Sequence, residues 1–255
     1  VVLSVAGSDP SGGAGLQADL KVFHRHGVYG AAAATLLTVQ NSRGVQDVHL
    51  VPPSVVEAQV RAVLDDFPVT VVKTGALGSL AIAQALVAAL GAQRPKLVID
   101  PVMVSTSGRA LLAGADALAV ADLLFPRAAL ITPNLDEAAL LLGWRPVRDK
   151  FCRASKELSV RYGCAVLLKG GHLEGDPMDV LAEGGRATTF RSERIETRHT
   201  HGTGCVLASA IASNLALGHD LTKSVQLARA FLGRALASAP GLGAGHGPMD
   251  LFAMP

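Results

Sequence analysis

At 255 residues, with 49% hydrophobic and only 17% charged side chains, against roughly a quarter charged in an average soluble domain, the chain must bury much of itself, which excludes a disordered or fibrous protein. A net charge of +2, from 23 basic and 21 acidic residues, is too balanced to imply a nucleic-acid partner. Cys152, Cys164 and Cys205 are odd in number and lack metal-ligand spacing, so a reducing, cytoplasmic setting is expected rather than a secreted disulfide framework, and Val1-Val2-Leu3 does not resemble a signal peptide.

In chain order, a buried strand is expected at residues 1–5 and a helix at 16–26. A weaker strand follows at 30–37, then a helix at 54–66 and a strand at 69–73. The uncharged stretch 74–93 is as long as a membrane span, but Gly75, Gly78, Ser79, Gln84 and Gln93 interrupt it and alanines fill it, as in a helix packed on a sheet; the helix is placed at 80–90. A strand at 96–100, a helix at 115–124, a strand at 128–132, helices at 135–142 and 151–162 and a strand at 165–169 continue the series. Such alternation is the signature of βα units around a parallel sheet. Residues 179–183 and 187–190 flank Gly184-Gly185, a dipeptide suited to a tight hairpin, and predict an antiparallel edge. Helices at 203–217 and 221–239 close the chain, the second with Asp220 as N-cap. No repeat, linker or heptad run interrupts the pattern, so one domain over 1–255 is expected.

Several polar residues follow strands directly: Asp100-Pro101, Thr132-Pro133-Asn134 and Lys169-Gly170-Gly171-His172. In open α/β sheets that edge is where ligands bind. The run from Ala6 to Gly15 (A-G-S-D-P-S-G-G-A-G) leads into a helix carrying Asp19, and its glycines let backbone approach a ligand. Its spacing does not fit G-x-G-x-x-G, which disfavours a nicotinamide oxidoreductase. His201-Gly202-Thr203-Gly204-Cys205 opens an uncharged helix whose amides could neutralise charge on a transferring phosphoryl group, and no Walker A loop is present. Cys205 at that helix start is expected to have a lowered pKa; a buried inert cysteine is the other reading. Asn134 and Glu137 share a helical face and could hold Mg²⁺ through water, or form a capping box. Lys169 offers a point charge for phosphates, or is a solvated lysine. His172, His199 and His201 lack zinc spacing.

Together and in order, Ala6-Gly-Ser-Asp-Pro-Ser-Gly-Gly-Ala-Gly-Leu-Gln-Ala-Asp19, Gln40-Asn41, Lys73-Thr-Gly, Asp100-Pro-Val-Met, Thr132-Pro-Asn-Leu-Asp-Glu137, Lys169-Gly-Gly-His and Thr200-His-Gly-Thr-Gly-Cys205 resemble the hydroxymethylpyrimidine and phosphomethylpyrimidine kinases of thiamine biosynthesis over nearly the whole chain. The resemblance implies a ribokinase-like three-layer α/β/α sandwich with a mostly parallel sheet, a homodimer, and two successive ATP-dependent phosphorylations of the pyrimidine alcohol. It places the pyrimidine pocket at Gly7, Ala14, Asp19 and Gln40, with Asp19 and Gln40 bonding the aminopyrimidine edge. Cys205 stands where the wider superfamily has an aspartate base, and Gly202, Thr203 and Gly204 complete the anion hole. Asn134, Glu137 and Asp100 are implied for Mg²⁺, and Lys169 and Arg229 for ATP. Ala76 replaces a methionine that some relatives set against the pyrimidine, which leaves pyridoxal open as a substrate; a non-catalytic pyrimidine sensor is the remaining alternative. Residues 105–112 look like the family's flap.

Overall fold

The computed structural model describes residues 1–104, 108, 111, 112, 114–171 and 173–255; most of the expected flap, and His172, lie outside them. Six parallel strands form the middle of the sheet: β1 (Val2–Ser8), β2 (Gly30–Asn41), β4 (Val71–Thr74), β5 (Lys96–Ile99), β6 (Leu130–Ile131) and β7 (Ala165–Leu168). Antiparallel strands extend both sides, β3 (Gly44–Leu50) on β2, and β8 (Met178–Glu183) with β9 (Arg186–Arg191) on β7, giving the order β3-β2-β1-β4-β5-β6-β7-β8-β9.

Side chains of a strand alternate between faces, and here both faces are apolar. Leu3, Val5, Val72, Leu97, Ile99, Ile131, Val166 and Leu168 point into one core with α2 (Pro53–Leu64), α3 (Leu80–Leu90), α4 (Gly114–Leu124), α5 (Leu135–Leu142) and α6 (Phe151–Tyr162). Val2, Val71, Val98, Leu130 and Leu167 point into a second core with α1 (Gly15–Arg25), α7 (Thr203–Ala216) and α8 (Leu221–Ala237). Burying a side chain of this size contributes about 1.5–3 kcal/mol, so near-continuous apolar strands dictate a sheet covered on both sides.

The expected βα order is present, and the Gly184-Gly185 turn joins β8 to β9. Two features differ. β2 runs on to Asn41, and Gly44–Leu50 returns beside it as an edge strand; exposed Gln46 and Asp47, adjacent polar residues between Val45 and Val48, break the apolar alternation that would mark a strand. Residues 74–93 divide into the end of β4, a loop and α3, and no helix among the described residues is long and apolar enough to cross a membrane. The C-terminal ends of β1, β4, β5, β6 and β7 deliver Ser8, Thr74, Asp100, Thr132 and Lys169 to one edge of the sheet.

Candidate functional site

The glycine-rich loop leaving β1 is organised by Asp9, which is 2% exposed. Its carboxylate accepts from Ser11 N (2.8 Å), Ser11 Oγ (2.7 Å), Gly13 N (3.2 Å), Ala14 N (2.8 Å) and His201 Nε2 (2.9 Å). Burial opposes its charge, but hydrogen bonds from His201, Gln40 and Ser11 outweigh that and hold the carboxyl well below the usual range. Gly15 must be glycine: its φ is 56°, and a Cβ would lie 2.2 Å from the Gly7 carbonyl oxygen. Gly7 faces Leu36, whose Cδ1 would sit 2.6 Å from a Cβ. Ala14 caps α1 in extended backbone.

Asp19, expected at the pyrimidine edge, is fully buried. Lys73 Nζ donates to both its oxygens at 2.9 and 2.8 Å, Ser4 Oγ to Oδ2 at 2.5 Å and Ser209 Oγ to Oδ1 at 2.6 Å. Within the fold the carboxylate serves as counter-ion to a fully buried lysine, because an isolated ammonium there would be far costlier than a paired one. Burial works against the Lys73 charge, and Asp19 more than restores it, raising the pKa. Gln40 is half-buried on β2, just beyond a bulge at Val39 and Gln40. The carbonyl of half-buried Ala76 accepts from Thr35 Oγ1 at 2.6 Å.

On the opposite side, Gly202 starts α7 with φ 81°, its backbone so close to the loop that a Cβ would meet the Gly13 oxygen at 2.0 Å. Half-buried Cys205 lies one turn before Ser209 on the same helix. Burial pushes its thiol up to about 11; Lys73 and the Gly15 amide pull it down, and Asp19 and Asp100 push it further up. The expectation of a lowered pKa is therefore corrected, since desolvation outweighs the helix start.

Lys169 Nζ bonds Asp100 Oδ1 at 2.8 Å, and Thr132 Oγ1 donates to the same oxygen at 3.0 Å. Gly204 abuts this pair: a Cβ would stand 3.2 Å from Lys169 Nζ and 3.3 Å from Asp100 Oδ2. Lys169 is thus a largely buried charge beside the start of α7, not a solvated one; its pKa is raised because Asp100 and Glu137 outweigh burial, the largest single influence. Asn134 and Glu137 form the capping box in full, Asn134 Oδ1 accepting from Asp136 N and Glu137 N at 2.9 Å and Glu137 Oε2 from Asn134 N at 2.7 Å. Glu137 is also 5% exposed, and its carboxyl is pushed up to about 7, by burial first, then by Asp100 against the pull of Lys169. Two electrostatically linked carboxylates fit Mg²⁺, a cation that takes one or two carboxylates and keeps waters and phosphates for the rest.

Arg229 is placed differently from expectation. It pairs with Asp179, donates to Ser192 Oγ at 3.2 Å and covers the Phe190 ring at 5.8 Å, while Asp179 also accepts from Gly170 N at 2.8 Å. Through Asp179 it braces the glycine pair after Lys169. Sequence reasoning missed Asp9 and Lys73 as organising residues; the signals were a lone lysine in the apolar strand Val71–Thr74 and an aspartate opening a Ser/Gly turn.

Comparison with known proteins places the chain among kinases. A profile described as phosphomethylpyrimidine kinase matches residues 9–250. The hydroxymethylpyrimidine/phosphomethylpyrimidine kinase of Streptomyces coelicolor is 43% identical over 251 residues, covering 98% of this chain and 93% of that one. Among solved structures, the ADP complex of Bacillus subtilis pyridoxal kinase superposes with a TM-score of 0.90 at 34% identity, covering 99% and 97% of the two chains. A phosphomethylpyrimidine kinase from Clostridium difficile gives 0.82 at 38% identity, covering 92% and 98%.

Proposed function

The chain belongs to the phosphomethylpyrimidine kinase family, and from that premise we propose how its site carries out the activity. The reaction is transfer of the γ-phosphoryl group of ATP to the hydroxymethyl oxygen of 4-amino-5-hydroxymethyl-2-methylpyrimidine, then of a second to the monophosphate. The observation that supports it best is one juxtaposition: the backbone of Gly202 meets the glycine-rich loop at Gly13, and Gly204 meets the Lys169–Asp100 pair. A pyrimidine on the first side and ATP on the second would meet at the amides of 202–205.

In this reading Gln40, Gly7, Ala14 and Ala76 line the pyrimidine side. Lys169, Thr203 and the α7 amides neutralise the phosphates, an effect strongest in a site shielded from water. Asp100, Asn134 and Glu137 would hold Mg²⁺, which supplies charge neutralisation on the phosphates. Phosphoryl transfer asks mostly for positioning and electrostatics, so Cys205 has one task, to accept the proton of the attacking hydroxyl. It does so as thiolate; with the thiol pushed up to about 11, the ionised fraction at neutral pH is small and the base strong. The chain is read as one cytoplasmic domain that pairs as a homodimer, exposed Leu37, Val39 and Leu50 on the β2–β3 edge being apolar surface that a second copy would cover.

Incubation with MgATP and the pyrimidine alcohol, followed by product analysis, should give the monophosphate and then the diphosphate. Folded protein that forms neither overturns the reading. Pyridoxal is the second substrate to assay, on the strength of the 0.90 superposition with a pyridoxal kinase; turnover of pyridoxal alone would reassign the substrate while leaving the transfer chemistry.

A further inference from the structure

We infer that Asp9 and His201 are a pair of positioning residues, whose hydrogen bond holds the substrate-side loop and the anion-hole loop in one register. This rests on the kinase reading above and names what keeps the two halves of that site together.

The contact joins residues 192 positions apart, His201 Nε2 to Asp9 Oδ2 at 2.9 Å, with side chains only 13% and 3% exposed. An ionised carboxylate can only accept, so Nε2 donates, and a desolvated, charge-assisted bond of this kind is about twice as strong as a neutral one. Asp9 simultaneously fixes the loop through Ser11 N, Gly13 N and Ala14 N. His201 immediately precedes Gly202, the residue that starts α7. The imidazole lies against Gly13, its Cδ2 2.7 Å from where a Cβ would be, and the His201 backbone amide donates to Gly247 O at 3.2 Å beside a bridge to Pro248. The ring is thus held on one side by Asp9 while its backbone is held on the other by the C-terminal segment. Through the pair, a shift of the glycine-rich loop becomes a shift of the amides at 202–205.

Register matters because reacting atoms must be held about 3–3.5 Å apart, and a displacement near 1 Å costs on the order of 10²-fold. A purely structural pair would lower stability and leave the surviving folded enzyme with normal kinetics. The test compares His201→Leu, which removes the donor, with His201→Gln, which keeps an N–H at similar reach, both in the full chain. The leucine variant is expected to lose roughly 10- to 10²-fold in kcat with KM for ATP changed only a few-fold, and the glutamine variant to recover most of that loss. Amide hydrogen exchange supplies a readout independent of turnover: exchange at 12–15 and at 202–205 should accelerate together in the leucine variant and stay near the parent in the glutamine variant. Should leucine prevent folding, His201→Asn, whose amide is too short to reach, is expected to give the same pattern. Unchanged kcat and exchange in the leucine or asparagine variant overturn the inference. So does a glutamine variant as slow as the leucine one, because the imidazole itself would then be needed. A parent protein without kinase activity would sink the functional reading, while the exchange comparison still decides whether the pair registers the two loops.

Discussion

Cys205 and Asp19 show how far burial redirects a side chain's chemistry. With its thiol pushed up to about 11, Cys205 should alkylate slowly with iodoacetamide at neutral pH, and its rate should climb about tenfold per pH unit up to that value, because only the thiolate reacts. Peptide-resolved mass spectrometry separates it from exposed Cys152 and buried Cys164. If Cys205 is the proton acceptor, kcat should rise with pH over the same range and Cys205→Ala should cost roughly 10²- to 10⁴-fold. An alkylation rate that levels off near pH 7 would restore the lowered pKa that the helix start alone suggests. For Asp19 the prediction concerns stability. Asp19→Asn leaves the Lys73 ammonium buried and unpaired, which typically costs about 3–5 kcal/mol, measurable by denaturant unfolding. A variant that keeps parental stability but loses pyrimidine affinity would instead return Asp19 to the ligand contact that the motif implies.

At the scale of elements, the junction of the glycine-rich loop with α7 decides where the amides at 202–205, the proposed anion hole, sit. Gly202→Ala must place a Cβ 2.0 Å from the Gly13 oxygen at φ 81°, whereas Gly218→Ala, at φ 92°, meets nothing within 4 Å. Both variants carry the left-handed strain of about 1–2 kcal/mol, so their difference isolates the packing. Gly202→Ala should lose on the order of 10²-fold in kcat while far-UV circular dichroism keeps its helix signal, and Gly218→Ala should retain kcat within a few-fold. Equal activities would show that α7 tolerates displacement. The same junction marks the limit of what a sequence discloses. The helix at 203–217 and the strand at 165–169 were legible as uncharged, largely apolar runs of helical and strand length, the mark of elements buried on every side. β3 was not, because no residue of this edge strand is fully buried, so no apolar face marks it, and of the two readings of Asn134 and Glu137 the capping box is the one formed within the fold.

For the molecule as a whole, the layered architecture followed from composition and βα order, whereas the charge pairings did not. Lys73 meets Asp19 across 54 positions and His201 meets Asp9 across 192, separations at which local pattern holds no information. The motif assigns Asp19 and Arg229 to ligands, and the fold adds that each also pairs internally, with Lys73 and Asp179. The groups proposed for the ligands lie nearer the sheet edge, Gln40 and Ala76 on the β2 and β4 side and Lys169 and Glu137 on the β7 and α5 side, and each already holds a partner within the fold. A ligand that binds only the folded state stabilises it in proportion to its affinity, by about 2.7 kcal/mol at a hundredfold excess over Kd. For a chain of this size that corresponds to a Tm rise of about 5–10 °C. The aminopyrimidine alcohol is expected to give such a rise and Gln40→Leu to abolish it, because a site built to hydrogen-bond a polar edge discriminates strongly against losing that bond. The ATP-induced rise should survive in the same variant, since Gln40 lies on β2 and Lys169, proposed for ATP, follows β7. A loss of both shifts would trace the defect to folding, and a larger rise with pyridoxal than with the pyrimidine would transfer the substrate assignment to the pyridoxal kinases that this fold also superposes on.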